Sequence, residues 1–580
     1  MSDSRDYWVR KATGRIGRRG ALALGGAAAF VAACGGGDSK KEEQAAQSTA
    51  TGAQPQSTAV ASEGTPKPGG TFTWSDIGDT PIDPTNNPTY RAQTISGFTY
   101  GRLLKFRTGP TPDISFSYEV VPELAASHEF SSDGLQLTFK LNPAAKFINK
   151  APVNGHAVEA ADVKASFERF QSAPKNTNKA AFGTPTNKIV DSIQTPDAKT
   201  VVVKLGRPYA PILNLFANPQ YLWIMPRETD NGFDPAKEAI GSGPWMIQSI
   251  EPDKAITLKR NPDYLQGGGK PFIDTVVRAV VPDTSQNIAQ LQAGRLDVYG
   301  VPPQNKVEVA RSNPKFQIVN IIPTTYSFIS PQQRANSPFK DVRMRRALSL
   351  AVDRKSFYDL VYIEGMHITN AVPASMGKWW LNAQGADAGP GAQWFKHDPK
   401  AARDLLKAAG YENMPLRYIF TNNAYGDTFN QGAEAVAGML KEAGFSAQIQ
   451  IQDYLREYID AKGAFFGNYE GVFFGLQTPF TDSHDYLFNM NHPNSARNHA
   501  GIDDPRLTAM IDDEEKTLNE PERLKKVHEI QRYWMDQMYY VPMAVGYAYS
   551  FRQPWMKRYY YSGTYGTASE ALEDAWIDKS

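Results

Sequence analysis

Apolar positions along the chain fall into two kinds of run. Short β-branched or aromatic runs predict strands at Gly70–Ser75, Leu135–Leu141, Thr200–Leu205, Ala255–Lys259, Thr275–Val281 and Phe316–Ile322. Val276-Val277 and Val280-Val281 read as buried on both faces. Helical spacing appears elsewhere. Asp398-Pro399 opens a helix with Ala402, Leu405, Leu406 and Ala409 on one face, and Gly410 stops it. A second helix runs over 428–444 and ends at Gly444. Residues 521–538 place Leu524, Val527, Ile530, Gln531, Trp534 and Met538 along one stripe. Over 341–352, Val342, Ala347, Leu350 and Ala351 face inward, with Arg343, Arg345 and Arg346 outward in water. Gly/Pro-rich stretches at 265–271 and 385–391 read as surface loops. Strands and helices mix without strict alternation, and no internal repeat is visible. The pattern is that of an α/β protein.

The N-terminus has a pattern of its own. Arg18-Arg19 precede an apolar run from Ala21 to Ala33, and Val31-Ala32-Ala33 lead into Cys34, the single cysteine of 580 residues. The run is about 13 residues, roughly 20 Å as a helix, too short for a ~30 Å hydrocarbon core. It fits the apolar region of a signal peptide. Residues 1–33 resemble a bacterial lipoprotein signal, in which Cys34 is lipidated and becomes the mature N-terminus. The paired arginines also resemble a twin-arginine signal, although Gly20 and Ala21 follow where that motif has a bulky apolar residue, so Sec export stays open. Residues 34–66 are rich in Gly, Ala, Gln, Ser and Thr without apolar periodicity. They read as a tether with a root-mean-square span of about 30–35 Å.

Composition narrows the classes further. There are 62 Lys and Arg against 61 Asp and Glu, a net charge of +1, so no basic excess argues for nucleic acid. Beyond the N-terminal run no stretch is long and apolar enough to span a membrane. The folded body from about residue 67 is long enough for two to four domains and needs no disulfide.

Several blocks carry a family resemblance. Residues 119–147 read EVVPELAASHEFSSDGLQLTFKLNPAAKF, and 155–170 GHAVEAADVKASFERF. IQTPDAKTVVVKLGRPYAP follows at 193–211, then the block from Ile240 to Gly300 that opens IGSGPWMIQSIEPDKAITLKRNPDY. FKDVRMRRALSLAVDR stands at 339–354 and YVPM at 540–543. Locally, Ser131–Gly134 is a hairpin turn and Asp162 a helix N-cap before Val163, Ser166, Phe167 and Phe170. In order and spacing these blocks resemble extracellular solute-binding proteins of family 5, which serve dipeptide and oligopeptide ABC importers. The resemblance implies a two-lobe periplasmic-binding-protein fold of class II, the large peptide-binding type, with a hinged cleft between the lobes. Lobe I would comprise 67–90, 236–325 and 540–580, an inserted subdomain 91–235, and lobe II 326–539, with hinges near 325 and 539. It further implies a monomer, anchored to the outer face of the cytoplasmic membrane, that passes a peptide or similar solute to permease and ATPase subunits.

Catalytic chemistry has no support. Gly-x-Ser-x-Gly and His-Glu-x-x-His are missing, and the two Ser-x-x-Lys matches, Ser172–Lys175 and Ser312–Lys315, carry Pro before Lys. No catalytic residue, cofactor or metal is expected. Asp482, His484, Asp485, His492 and His499 are metal-ligand types, but their spacing shares no helical face, and they read as a polar loop. Peptide-binding relatives hold the α-amino group with an aspartate in this segment, after a Gly-Trp pair. Here Leu476 stands at the Trp and Pro479 at the aspartate, so Asp482 or Asp485 substitutes, or the anchor is gone. The candidate ligand-binding set is Tyr90, Arg91, Trp379, Trp380, Phe474, Gln477, Asp482, Asp485 and Tyr539, with Cys34 for lipidation. The aromatics would suit sugar rings, cations or peptide side chains. An oligosaccharide or a metal chelate is the alternative ligand. An anchored hydrolase and a chemosensory ligand presenter are the more distant readings.

Overall fold

The computed structural model describes residues 64–580, apart from 77, 79, 110–117, 177, 185–186, 266, 268, 461, 496, 561–567 and 580. Cys34, the expected signal and nearly all of the expected tether lie outside the described residues. Two sheets form the first body. Thr71–Asp76 runs parallel to Thr275–Val280, which pairs antiparallel with Ala255–Arg260, and Trp245–Glu251 completes a sheet of four. Val276 is fully buried, but Val277 and Val280 are half-buried, so this strand is not sunk on both faces. In a second sheet Ala548–Arg552 lies between Val298–Val301 and Gln317–Ile321.

The residues between form an antiparallel sheet of their own, Ala125–Phe130, Gln136–Leu141, Thr200–Leu205 and Val190–Asp197 in spatial order. The turn at 131–134 forms as read, with Gly134 at φ 68° and the Asp133 carboxylate accepting from Leu135 N–H at 3.0 Å. The helix Ala160–Ser172 starts one turn earlier than Asp162 suggested. Glu159 is the N-cap, and Asp162, three residues on, accepts from the Glu159 N–H at 2.8 Å in a capping box. The loop through Gly241 runs against the backbone of Thr99. A β-carbon at Gly241 would stand 1.9 Å from the Thr99 carbonyl oxygen, so only glycine fits.

The remaining large body is a five-stranded sheet in the order Ser446–Ile451, Pro415–Phe420, Val472–Leu476, Ser327–Pro331 and Val541–Pro542. The first three are parallel and Ser327–Pro331 is antiparallel to its neighbours. Helix Asp427–Glu442 packs against Ser446–Ile451 and helix Val342–Ala351 against Val541–Pro542, and helices Pro399–Ala409 and Glu520–Gln537 pack on Val342–Ala351. Asp398 caps Ala401 N–H at 2.8 Å, and Gly410 ends that helix in the left-handed region. Two details depart from the sequence reading. Arg345 is buried, bonding the carbonyls of Phe339, Lys340 and Gln537, whereas Arg343 is exposed. The 385–391 stretch is not a free loop, because Gly391 packs against Met535 and Asp536.

The chain crosses between this sheet and the first body twice, at 322–326 and at 543–547. The second crossing falls beyond residue 539, because Val541 and Pro542 still pair with Ile329 and Phe328. Among the described residues no helix is long and apolar enough to cross a membrane.

Candidate functional site

The strand Val472–Leu476 ends in the segment Gln477–Thr481, and Asp482 then caps the helix Ser483–Asn491 by accepting from His484 N–H at 2.7 Å. This segment bonds to residues 214–220, which follow the four-stranded antiparallel sheet in the chain and with it make up the expected subdomain. Asn218 donates to Thr481 Oγ1 at 2.9 Å, Gln220 reaches the Pro479 carbonyl at 3.4 Å, and Asn214 donates to Asp482. Arg207 pairs with Glu515, and the Tyr209 ring meets His484 edge-on at 5.4 Å. One buried apolar cluster continues from the subdomain into the five-stranded sheet.

Charge inside this junction is organised around Arg523. Its guanidinium bonds Asp482 through two nitrogens and Glu514 through Nε at 2.6 Å, over the ring of Trp379 at 5.0 Å. Burial opposes ionisation of Asp482, but Arg523 outweighs it and holds the carboxyl below its ordinary range. His484 contacts Glu514 through Nδ1 at 2.8 Å and lies 3.6 Å from Glu515. Burial disfavours its charge, and the two glutamates more than reverse this, raising its pKa.

Asp485 differs from its neighbours. It is 7% exposed, and its carboxylate has no hydrogen bond or ion pair to any described residue. Burial, then the charge of Asp482, pushes its pKa up to about 7. Its charge also helps raise the phenols of Tyr209 and Tyr221, so both lie within its electrostatic reach. Close by in the chain, Gln477 is 3% exposed and its Nε2 is buried without a partner.

The other expected ligand residues are placed less favourably. Asp482 is consumed as a helix cap and by Arg523. Phe474 is fully buried against Phe357, Tyr418 and Phe429, on the core face of its strand. Tyr539 donates its hydroxyl to Asp504 and lies beneath Arg345. Trp379 is 8% exposed and covered by Arg523. These four belong to the scaffold, because their faces or polar atoms are already satisfied. Arg91 pairs with Asp76 at 3.2 Å, beside the half-exposed Tyr90, and Trp380 meets His367 edge to face. Neither pair contacts the Asp485 segment in the bonds described.

The metal-type side chains do not converge. His492 pairs with Asp512, and His499 packs 4.4 Å from Phe465, where burial lowers its pKa to about 3. Elsewhere among the described residues, ligand atoms of His156, Asp162 and Glu228 approach within 4.8 Å of one another. Arg227 already supplies a cation there, 3.2 Å from Asp162 and 2.7 Å from Glu159.

Sequence reasoning missed Arg523, Glu514, Asn214 and Tyr209. Tyr209 and Arg207 stood within a block that read as scaffold, and Arg523 lies in the 521–538 helical stretch but off its apolar stripe.

The geometry gives a stability prediction. The Asp485 pKa rises from its ordinary 3.8 to about 7, so the unfolded chain loses that proton first and stability falls as pH rises across this interval. The raised pKa of His484 acts in the same direction: its contribution is full below its ordinary 6.5 and is lost as pH rises through the folded value. Asp485→Asn should therefore stabilise the ligand-free protein at pH 8, by on the order of 2–4 kcal/mol, and much less at pH 4.5. Urea unfolding at both pH values measures this, and equal stability of the two proteins at pH 8 contradicts it.

Comparison with known proteins places the scaffold. A family model described as bacterial extracellular solute-binding proteins, family 5 middle, matches residues 119–498. The chain is 28% identical over 417 residues to the dipeptide-binding protein of Escherichia coli K12, covering 67% of this chain and 72% of that one. It is 24% identical over 483 residues to heme-binding protein A of Haemophilus influenzae, covering 79% and 84%. In structure it is similar to the periplasmic binding protein DppA of Helicobacter pylori, solved with the peptide STSA, at a TM-score of 0.70 and 22% identity over 88% of this chain and 99% of that one. The last likeness shows the two-lobe α/β fold alone. The match across most of the folded body shows that this chain belongs to the bacterial extracellular solute-binding proteins of family 5.

Proposed function

We propose that this chain is the substrate-binding component of an ABC importer and takes a solute bearing a cationic amine, a short peptide first of all. The observation that carries this is Asp485, a buried carboxylate without a partner among the described residues. Its site holds four carboxylates, Asp482, Asp485, Glu514 and Glu515, against Arg523, Arg207 and His484. With Asp485 ionised and His484 protonated, these groups carry one unbalanced negative charge, and an ammonium placed at Asp485 would balance it. Gln477, with its unpartnered amide nitrogen, would donate to a carbonyl of the same ligand. Family membership supports the solute-binding role. The binding would need no cofactor and no chemistry by the protein, and delivery would go to permease and ATPase subunits, with the chain acting as a monomer outside the cytoplasmic membrane.

The rival ligands have less to stand on. For an oligosaccharide, Trp379 offers little surface, because it is 8% exposed and Arg523 lies over one face of its ring. For a metal chelate, His484 and His492 are already paired with acids.

Titration calorimetry with free-amine peptides of two to five alanines tests the reading. Breaking one side of a buried charge pair costs about 2–5 kcal/mol, so N-acetylation or Asp485→Asn should each weaken binding by at least ~30-fold. Asp482→Asn should instead lower stability, through loss of the Arg523 pair. If acetylated and free peptides bind alike, the amine anchor is wrong.

The anchoring reading rests on Val31-Ala32-Ala33-Cys34. Cys34→Ala should move the protein from the membrane fraction to the soluble exported fraction, or leave it unprocessed, and membrane retention of the variant contradicts a lipid anchor.

A further inference from the structure

A second group of unsatisfied polar atoms lies beside the crossing at 543–547. His367 and Ile368 pair with Val545 and Ala544 in a short antiparallel ladder, which fixes this stretch against the crossing. The His367 ring is held between two aromatics, Trp380 at 6.0 Å and Tyr547 at 5.9 Å, both approached edge to face. Gly365 brings the chain close under Tyr547, since a β-carbon there would stand 2.3 Å from that ring. His367 Nε2, Trp380 Nε1 and Thr369 Oγ1 are all buried, and none has a hydrogen-bond partner among the described residues. Thr369 follows directly on the two-residue strand His367–Ile368 and is itself buried.

Leaving one buried polar group unsatisfied costs about 1–3 kcal/mol, and the rings of His367 and Trp380 bring two such nitrogen-bearing groups together. All three atoms can donate a hydrogen bond, and Trp380 Nε1 can do nothing else. An indole N–H only donates, a hydroxyl donates readily, and a neutral imidazole donates from whichever nitrogen carries the proton. Burial lowers the pKa of His367 and no charged group contributes to its shift, so the ring is neutral near pH 7. Glu364, the nearest acid along the chain, is tied to Lys306. With no cation bonded to any of the three, a carboxylate would be desolvated here without compensation, whereas an uncharged carbonyl would not.

We infer that His367, Thr369 and Trp380 form a subsite for an uncharged oxygen acceptor, such as an amide carbonyl. It lies on different elements from Asp485 and stands independently of the amine reading. If both hold, the ligand carries an ammonium and a neutral amide. A peptide would then present its backbone or a carboxamide here, and not its terminal carboxylate.

Indole nitrogen–proton NMR on the full chain tests this without a known ligand. The Trp380 resonance is assigned by its disappearance in Trp380→Phe. N-methylacetamide, sodium acetate and methylammonium chloride are titrated at constant ionic strength. The Trp380 resonance should move downfield and saturate with N-methylacetamide, less with acetate, and not with methylammonium. His367→Ala should weaken the N-methylacetamide response by about 2- to 12-fold, the worth of one hydrogen bond. Asp485→Asn should leave it unchanged, which separates failure of this subsite from failure of the amine anchor. An immobile Trp380 resonance overturns the inference, because the N–H is then spent on the His367 ring. Acetate acting as strongly as the amide overturns the preference for a neutral group.

Discussion

The guanidinium of Arg523 is the contact on which the junction depends. It is nearly buried, and it joins Asp482 at the start of one helix to Glu514 near the end of another. Without it, two carboxylates would face each other out of water, a situation that costs several kcal/mol. With it, the segment after the strand Val472–Leu476 is fixed, and the inserted subdomain can lay Asn214, Asn218 and Tyr209 against that segment. The same arrangement drives up the cost of charge at Asp485, which is desolvated beside Asp482 and lies outside the reach of Arg523's hydrogen bonds. One carboxylate is satisfied and the next is left over, three residues apart on the chain.

Such a residue is costly to a free protein and useful to a binding one. A scaffold built for stability alone would place an amide or an apolar side chain at 485. Retaining a strained acid where a cation can relieve it is how binding sites commonly trade stability for affinity. The neutral donors at His367 and Trp380 fit the same logic at a different position. Orphaned polar groups are tolerated where a ligand completes them.

Much of the scaffold was legible in the chain. Short β-branched runs became strands within one or two residues, and the caps at Asp398 and Gly410 formed as read. These are local signals, set by backbone preferences and side-chain reach. Asp162 was displaced by one role, from N-cap to the third position of a capping box, because Glu159 also accepts at the helix start. The site was less legible. Phe474 read as a candidate binding aromatic and lies in the core, since strand alternation does not say which face a sheet covers. Asp482 and Asp485 were equivalent by sequence. Their separation depends on Arg523, 41 residues from Asp482, and no local pattern carries that pairing. Likewise Arg345 looked solvated until the carbonyls of Phe339, Lys340 and Gln537 closed around it.

The central claim is that Asp485 gives up a proton when a cationic ligand arrives. Its pKa near 7 leaves it half-protonated at neutral pH, and pairing with an ammonium would pull that value down. Binding of tri-alanine at pH 7, followed by calorimetry in buffers of different ionisation enthalpy, measures the protons exchanged. The account predicts release of roughly half a proton per ligand bound, lost in Asp485→Asn. A binding enthalpy independent of the buffer would contradict it.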